Sequence, residues 1–296
     1  MAAAGKHPLV SIIIPVFDDE AGVSRCLAAL GVQTYPLSCL EVILVDNGST
    51  PALSVANHLP YTVQITRHEK PGSYSARNAG ARIATGEILA FTDADCVPQR
   101  GWVEQGVHAL QEGHHHHLVG GEVVIAPPSV RSGVGLYQYA AGFRQKENIE
   151  NKEFSVTANL FCTKGQFQHI GPFDERLLSG GDREWSWRAK KLGLPMVYAP
   201  GAIVYTEPRT SLGAAIRQTR RVAAGRYHLR SLQLGLEDVE GLRPHRRSLA
   251  SLSWILCYPS LTRWERLKVL TAALVLKAFA LTEMVRLKLG GSAERR

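Results

Sequence analysis

Cysteine is scarce, and its spacing is uninformative for bridges. The five cysteines (Cys26, Cys39, Cys96, Cys162 and Cys257) are odd in number and contain no Cys-x-x-Cys pair. That pattern argues against a disulfide framework or a zinc site and favours reduced thiols in the cytoplasm. No helix-turn-helix, zinc or aromatic RNA-binding signature is present, so nucleic acid is not an expected partner. Long apolar runs are missing too. The most apolar stretch, Val269 to Val285, is 17 residues long and contains Lys277 and Glu283, short of the roughly 20 apolar residues that a membrane crossing needs. Met1 to Pro8 is Ala-rich with one Lys and runs straight into strand-like sequence, which does not read as a secretory signal. No Gly-rich, Lys/Arg-bearing phosphate loop follows the first strand, which excludes a sugar-phosphate nucleotidyltransferase pattern.

What is present is an ordinary globular composition, 45% apolar and 20% charged over 296 residues, enough for a sizeable core. The net charge of +8 is unevenly placed. From Glu207 onward there are 17 Lys/Arg against 7 Asp/Glu, a net of +10, which leaves −2 for residues 1–206. A near-neutral body with a basic tail points to an anionic partner for the tail.

The chain is organised around Ile88-Leu-Ala-Phe-Thr-Asp-Ala-Asp-Cys96. An apolar run reads as a buried strand, apolar on both faces, so Asp93 and Asp95 fall just past its carboxyl end. In open α/β sheets that is where ligands bind. Two carboxylates at i and i+2 can share a hard divalent cation. Earlier strands read at Val10–Phe17, with Pro15 near its end, at Leu40–Val45 and at Tyr61–Thr66. Helical periodicity runs over Ala21–Gln33 and from Ser75 through Ala84. Alternating strands and helices predict βαβ units and a mostly parallel α/β sheet. The loops Pro15–Asp19, Asp46–Thr50 and Asp93–Cys96 therefore meet at one sheet edge. There Asp46 could accept N–H groups of a base or form an Asx-turn, and Phe17 could stack on a base or pack in the core. Arg77 lies in the first turns of a helix that follows a Gly-Ser turn, a place that favours anions.

Val10-Ser-Ile-Ile-Ile-Pro-Val-Phe-Asp-Asp-Glu20, Val45-Asp-Asn-Gly-Ser49, Gly72-Ser-Tyr-Ser-Ala-Arg-Asn-Ala-Gly80 and Gly86-Glu-Ile-Leu-Ala-Phe-Thr-Asp-Ala-Asp95 together resemble the N-terminal half of a family-2 glycosyltransferase with the GT-A fold, of the bacterial cell-surface polysaccharide type. The resemblance implies a nucleoside-diphosphate sugar donor, a divalent metal (Mn²⁺ or Mg²⁺) and inversion at the anomeric carbon. It places Pro15, Val16, Phe17, Asp19, Asp46, Arg77 and Asp93 around the donor, and Asp95 with Asp93 on the metal. Asp18 stands where Asn is usual, and Asn47 replaces the second Asp of an Asp-Asp-Gly-Ser turn.

Further along, Gly180-Gly-Asp-Arg-Glu184 starts a helix. Read locally, Asp182 is an N-cap and Glu184 a dipole-favoured first-turn residue. The resemblance implies that Asp182 is the catalytic base, with Gly181 in a position usually held by Glu. A carboxylate there can take the proton of an acceptor hydroxyl. Glu184 is expected to hold the acceptor or a neighbouring loop, and Asn159 to lie at the acceptor. Short strands are expected at Met196–Ala199 and Ala202–Tyr205, followed by Thr206-Glu207 where many relatives carry a His. The run His114–His117 reads as a loop. Pro127-Pro128 should start another loop, with Tyr137–Ile149 as a cover over the acceptor. Gln218 and Arg221 share a helix face and resemble the Gln-x-x-Arg-Trp motif of processive synthases without its Trp. They are read as donor-diphosphate ligands or as a solvated basic face.

Residues 246–289 read as helical, apolar all round, with Arg266, Lys277 and Lys288 on one line. Snorkelling cations suit an anionic bilayer; packing on the catalytic domain, or on a second copy in a homodimer, is the competing cover. The expected organisation is a catalytic domain over 1–230 and a basic helical extension over 231–296. The expected activity is non-processive transfer of a sugar to a saccharide or lipid-linked acceptor in cell-envelope or exopolysaccharide synthesis. The expected location is cytoplasmic, peripheral on the inner face of the membrane.

Overall fold

The computed structural model describes residues 7–55, 59–112, 116–231, 255 and 258–292. Cys257, His114, His115 and the expected helix over 246–254 lie outside the described residues. The chain forms two compact units. One comprises Met1–Val123, Gln145–Arg176 and Gly181–Thr206; the other comprises Val124–Arg144, Leu177–Gly180 and Glu207–Arg296.

The first unit is built on eight strands: β1 (Val10–Val16), β2 (Leu40–Asp46), β3 (Thr62–Arg67), β4 (Ile88–Thr92), β5 (Cys96–Pro98), β6 (Leu118–Ile125), β7 (Asn159–Thr163) and β8 (Met196–Thr206). Their order is β3-β2-β1-β4-β7-β6-β8-β5. β1 pairs in parallel with β2 and β4, and β2 with β3. Helices α1 (Glu20–Leu30) and α2 (Ser73–Ile83) make the returns. Beyond β4 the ladder turns antiparallel, in β4–β7, β6–β7 and β5–β8. The mostly parallel expectation thus holds on one side of the sheet only. β2 and β4 are buried throughout, and β1 at every position but Pro15, because they are covered on both faces. β3, at the edge, exposes Gln64, Ile65 and Arg67. Helix α2 packs closely on β1: a Cβ on Gly80 would lie 2.6 Å from Ile13 Cγ2.

Helices α3 (Trp102–Glu112), α5 (Gln145–Lys152), α6 (Lys164–Ile170) and α7 (Gly181–Lys191) complete this unit. The two short strands expected at 196–205 are one strand, β8; Pro200 is exposed, so its missing N–H leaves no buried acceptor unsatisfied inside the sheet. At the end of the histidine run, His117 Nε2 meets Ala109 O at 2.9 Å.

The second unit contains α4 (Gly133–Ala141), α8 (Leu212–Ser231) and α9 (Arg263–Lys288). The loop expected from Pro127-Pro128 runs to Ser132, and α4 follows it, capped by Ser132 Oγ accepting Gly135 N–H at 3.0 Å. Helix α9 starts with a capping box between Thr262 and Glu265. One side of it is buried: Val269 and Ala273 against Leu136, and Ala272 and Leu276 against Val134 and Ala215. The opposite side exposes Trp264 (76%), Leu267, Leu274, Leu281, Val285 and Leu289 (82%). No helix among the described residues is long and apolar enough to cross a membrane.

Candidate active site

Three loops at the carboxyl ends of β1, β2 and β4 build the site, and two of them are tied together. Asp18 takes a left-handed φ of 47°, which Asp and Asn tolerate better than most residues. Its N–H donates to Ser49 Oγ at 3.0 Å, and its Oδ1 accepts Thr50 N–H at 2.9 Å. Asp19 caps α1 by accepting Gly22 N–H at 2.9 Å. Pro15 is half-buried, Val16 is buried, and the Phe17 ring is exposed.

Asp46 is buried and takes the Asx-turn role. Oδ1 accepts Ser49 N–H at 2.8 Å, while Oδ2 accepts Leu53 N–H at 3.2 Å and Arg67 Nη1 at 3.1 Å. Burial alone would raise this carboxyl, but the Ser49 and Leu53 bonds and the Arg67 charge hold it below the ordinary range. Asn47 next to it is a clamp. Its Nδ2 donates to His68 O (2.9 Å) and Lys70 O (2.8 Å), and its Oδ1 accepts Gly72 N–H. That clamp sets the entry to α2, where Gly72 has a φ of 129°, a value only glycine adopts easily.

Arg77 rises from α2 into this cluster. It is 3% exposed, although it lies on a helix. Its Nη2 donates to Asp93 Oδ1, and its buried Nε has no partner. An unsatisfied buried N–H is costly, and here it marks a position where a ligand oxygen would be welcome. Asp93 and Asp95 are half-buried at the end of β4. Behind them Cys26 of α1 is pushed up to about 12, by burial first and then by the charges of Asp95 and Asp93, so its thiol stays protonated.

Asp182 is the second residue of α7, inside its first turn and not at the N-cap that the sequence suggested for it. It is half-buried, and its Oδ1 accepts Arg183 N–H at 2.8 Å and the Tyr74 hydroxyl at 3.2 Å. Burial raises its pKa above the carboxylate norm, against the Arg183 N–H bond, the charges of Arg183 and Arg77, and the Tyr74 bond. Tyr74 and Arg77 are one turn apart on α2, with the guanidinium 5.6 Å from the ring centroid. Helix α2 thereby links Asp182 on one side to Asp93 on the other.

Comparison with known proteins decides what this assembly belongs to. Residues 11–163 match the model of glycosyl transferase family 2, and residues 88–285 match that of glycosyl transferase family group 2. The chain belongs to glycosyl transferase family 2. Glycosyltransferase AglE of Haloferax volcanii is 34% identical over 254 residues, covering 84% of this chain and 80% of that one. The pre-mycofactocin glycosyltransferase of Mycobacterium tuberculosis is 31% identical over 219 residues, 70% of this chain and 44% of the relative. A mannosyltransferase from Pyrobaculum calidifontis, solved with GDP-Man and Mn²⁺, superposes with a TM-score of 0.60 at 17% identity, over 95% of this chain and 87% of that chain. GalNAc-T7, solved with UDP, GalNAc and Mn²⁺, gives 0.51 at 17% identity, over 68% of this chain and 43% of that chain. The fold is GT-A, and the protein is a glycosyltransferase.

For this glycosyltransferase two acceptor expectations need correction. Asn159 is fully buried: its Oδ1 accepts Trp102 Nε1, and its Nδ2 donates to Glu122 O and Ala202 O, each at 2.8 Å. Glu184 is 3% exposed and holds Arg188 (2.5 Å), which in turn donates to Ile170 O and Pro172 O. Glu184 thus faces Arg188 and, through it, the carbonyls of Ile170 and Pro172. Both side chains are consumed by packing, because buried polar groups must be paired. Gln218 and Arg221 lie on α8 in the second unit, where Gln218 Oε1 accepts Gln138 Nε2 at 2.9 Å and Arg221 is exposed.

Among the described residues no three His, Cys, Asp or Glu side chains are placed to share a cation. Asp93 and Asp95 still offer a hard-oxygen donor pair, the type that Mn²⁺ and Mg²⁺ take. Tyr74 and Arg67 escape the sequence reading, which names Asn47 only as a departure from the usual turn. The i, i+3 spacing of Tyr74 and Arg77 was the available clue for the first.

Proposed function

We propose that this glycosyltransferase inverts configuration, moving one sugar from a nucleoside diphosphate to a hydroxyl on a saccharide or lipid-linked acceptor without processive extension. The supporting observation is the connection through α2 of a carboxylate with a raised pKa, Asp182, to the Arg77–Asp93 pair at the end of β4. In the reaction the acceptor O–H gives its proton to Asp182 as its oxygen bonds the anomeric carbon. The bond to the diphosphate oxygen breaks, and its electron pair leaves with the nucleoside diphosphate. One displacement from the far side inverts the carbon. Asp93 and Asp95 would hold a divalent cation, which when bound supplies Lewis-acid stabilisation of the leaving diphosphate. Arg77 would meet a donor oxygen through its unpartnered Nε. Phe17, exposed beside Pro15 and Val16, would carry the base. Asp46 and Asp19 would act by holding the loops in which they sit.

The test is a thermal-shift panel of UDP, GDP, dTDP and CMP with Mn²⁺, Mg²⁺ or chelator, since selective binding to the native state raises the midpoint. A metal-dependent shift with one diphosphate supports the donor site. Release of that diphosphate from its sugar conjugates, abolished in Asp182→Asn, supports the transfer. A shift without any release would leave a nucleotide-sugar-binding subunit instead.

The same reading places the protein on an anionic membrane surface on the cytoplasmic side. The exposed stripe of α9 is apolar, and the helix carries six Lys/Arg against two Asp/Glu. Both acids are already paired, Glu265 with Arg131 and Glu283 with Arg286. An apolar stripe on a helix of net positive charge suits an acidic bilayer; among the described residues Cys26, Cys39, Cys96 and Cys162 are free thiols, which suits a reducing compartment. The full chain should pellet with anionic vesicles and not with neutral ones, and Leu267→Asp with Leu281→Asp should abolish this. Unchanged pelleting of that variant would sink the membrane reading.

A further inference from the structure

The Tyr74 ring sits in a slot that Gly181 keeps open. A Cβ at position 181 would lie 2.8 Å from Tyr74 Cε2, 2.9 Å from Cδ2 and 3.0 Å from Cζ, closer than carbon atoms pack. On its other side the ring packs on Phe173, with centroids 5.7 Å apart, and Arg77 lies over it at 5.6 Å. Tyr74 is only 6% exposed, so its hydroxyl has little freedom. It reaches Asp182 Oδ1 at 3.2 Å, the oxygen that also accepts Arg183 N–H. Among the described residues no protein group donates to Oδ2. Burial, and then the Asp182 charge, push the phenol far above its ordinary pKa, which keeps it a neutral donor at every working pH.

We propose that Tyr74 is a positioning residue for the base: with Arg183 N–H it ties down Oδ1 of Asp182 and turns Oδ2 to the acceptor hydroxyl, and Gly181 is glycine because the Tyr74 ring fills the space of any side chain there. The proposal rests on Asp182 being the base. It assigns a role to two residues that touch neither donor nor acceptor. Through Arg77, on the same helix, it also connects the orientation of the base to the donor side. The charged and titratable groups that face Asp182 are Tyr74 and Arg77 from α2 and Arg183 from α7.

The test uses the full chain and the nucleoside diphosphate that raises its melting temperature, with release of that diphosphate from its sugar conjugate as the rate. Tyr74→Phe keeps the ring and removes the hydroxyl. It should leave the nucleotide-induced shift intact and lower kcat by about 3- to 10-fold, the scale of one hydrogen bond. It should also move the acid limb of kcat to higher pH, because a bond donated to a carboxylate favours its ionised form. Gly181→Ala should cost more in the wild-type background than in Tyr74→Ala, since the collision exists only with the ring present. If Asp182→Asn is inactive while Tyr74→Phe keeps both kcat and the acid limb, the positioning role is wrong and the base assignment stands. If Asp182→Asn remains active, the base assignment falls and takes this proposal with it. Equal costs of Gly181→Ala in the two backgrounds would overturn the role given to the glycine.

Discussion

Asn47 Oδ1 accepts the N–H of Gly72 at 2.8 Å across the gap between the β2 loop and the start of α2, while its Nδ2 donates to the carbonyls of His68 and Lys70. An Asp at this position could accept from Gly72 but could not donate to two carbonyls. Asn47→Asp should therefore destabilise the protein by about 1–3 kcal/mol, the range for buried groups left unpaired. That corresponds to a midpoint lowered by roughly 2–10 °C. A melt indistinguishable from wild type would show that the clamp contributes nothing.

Asp182 carries a stability cost that neutral pH exposes. Burial raises its folded pKa above the unfolded value, so its contribution is most favourable below the ordinary carboxylate pKa and is lost as pH rises through the folded value. Asp182→Asn should abolish transfer, by at least about 100-fold for loss of a general base. It should also melt higher than wild type at pH 7, with the difference closing toward pH 3. A variant that is inactive yet melts lower at pH 7 would contradict this account of the site.

Glu41 has the opposite sign. Burial works to raise it, but the Ser11 hydroxyl and the N–H (2.9 Å) and hydroxyl (2.8 Å) of Thr85 prevail and hold it below its ordinary pKa. Its stabilisation is present above the unfolded pKa and lost as pH falls through the folded value. Glu41→Gln should cost about 1–3 kcal/mol at pH 7 and flatten the acid limb of urea midpoint against pH. An acid limb as steep as in wild type would place that sensitivity elsewhere.

Arg77→Lys keeps one positive charge but loses the planar fork that meets Asp93 and presents Nε to the site. Lysine is a point charge on a flexible stem and does not replace a fork. Nucleoside-diphosphate affinity should fall about 10-fold or more, seen as a right-shifted titration by calorimetry. Full affinity in this variant would mean that Arg77 serves only to orient Asp93.

The local features of the donor edge could be read from sequence because they depend on near neighbours. Ile88–Thr92 is buried on both faces and leads directly into Asp93 and Asp95. The Gly72-Ser73 turn starts α2 and puts Arg77 one turn inside it. Strand and helix periods, and the residues that start and stop them, follow from backbone geometry a few residues at a time. What the sequence left open was which distant groups meet. A fully buried strand reads the same whichever direction its neighbour runs, so nothing in β4 announced that β7 would pair with it antiparallel. Asn159 and Glu184 carry polar groups that looked available, and only packing spends them on Trp102 and Arg188. Tyr74 and Asp182 are 108 residues apart. By itself the sequence determined an α/β sheet and the carboxylates at the end of β4, through short-range patterns of burial and turn chemistry, and its motifs carried the resemblance to a GT-A glycosyltransferase. Tertiary structure alone decided what each buried polar group pairs with, because that depends on desolvation by residues remote in the chain, and it settled there which carboxylate is anchored in a loop and which has a raised pKa beside a tyrosine.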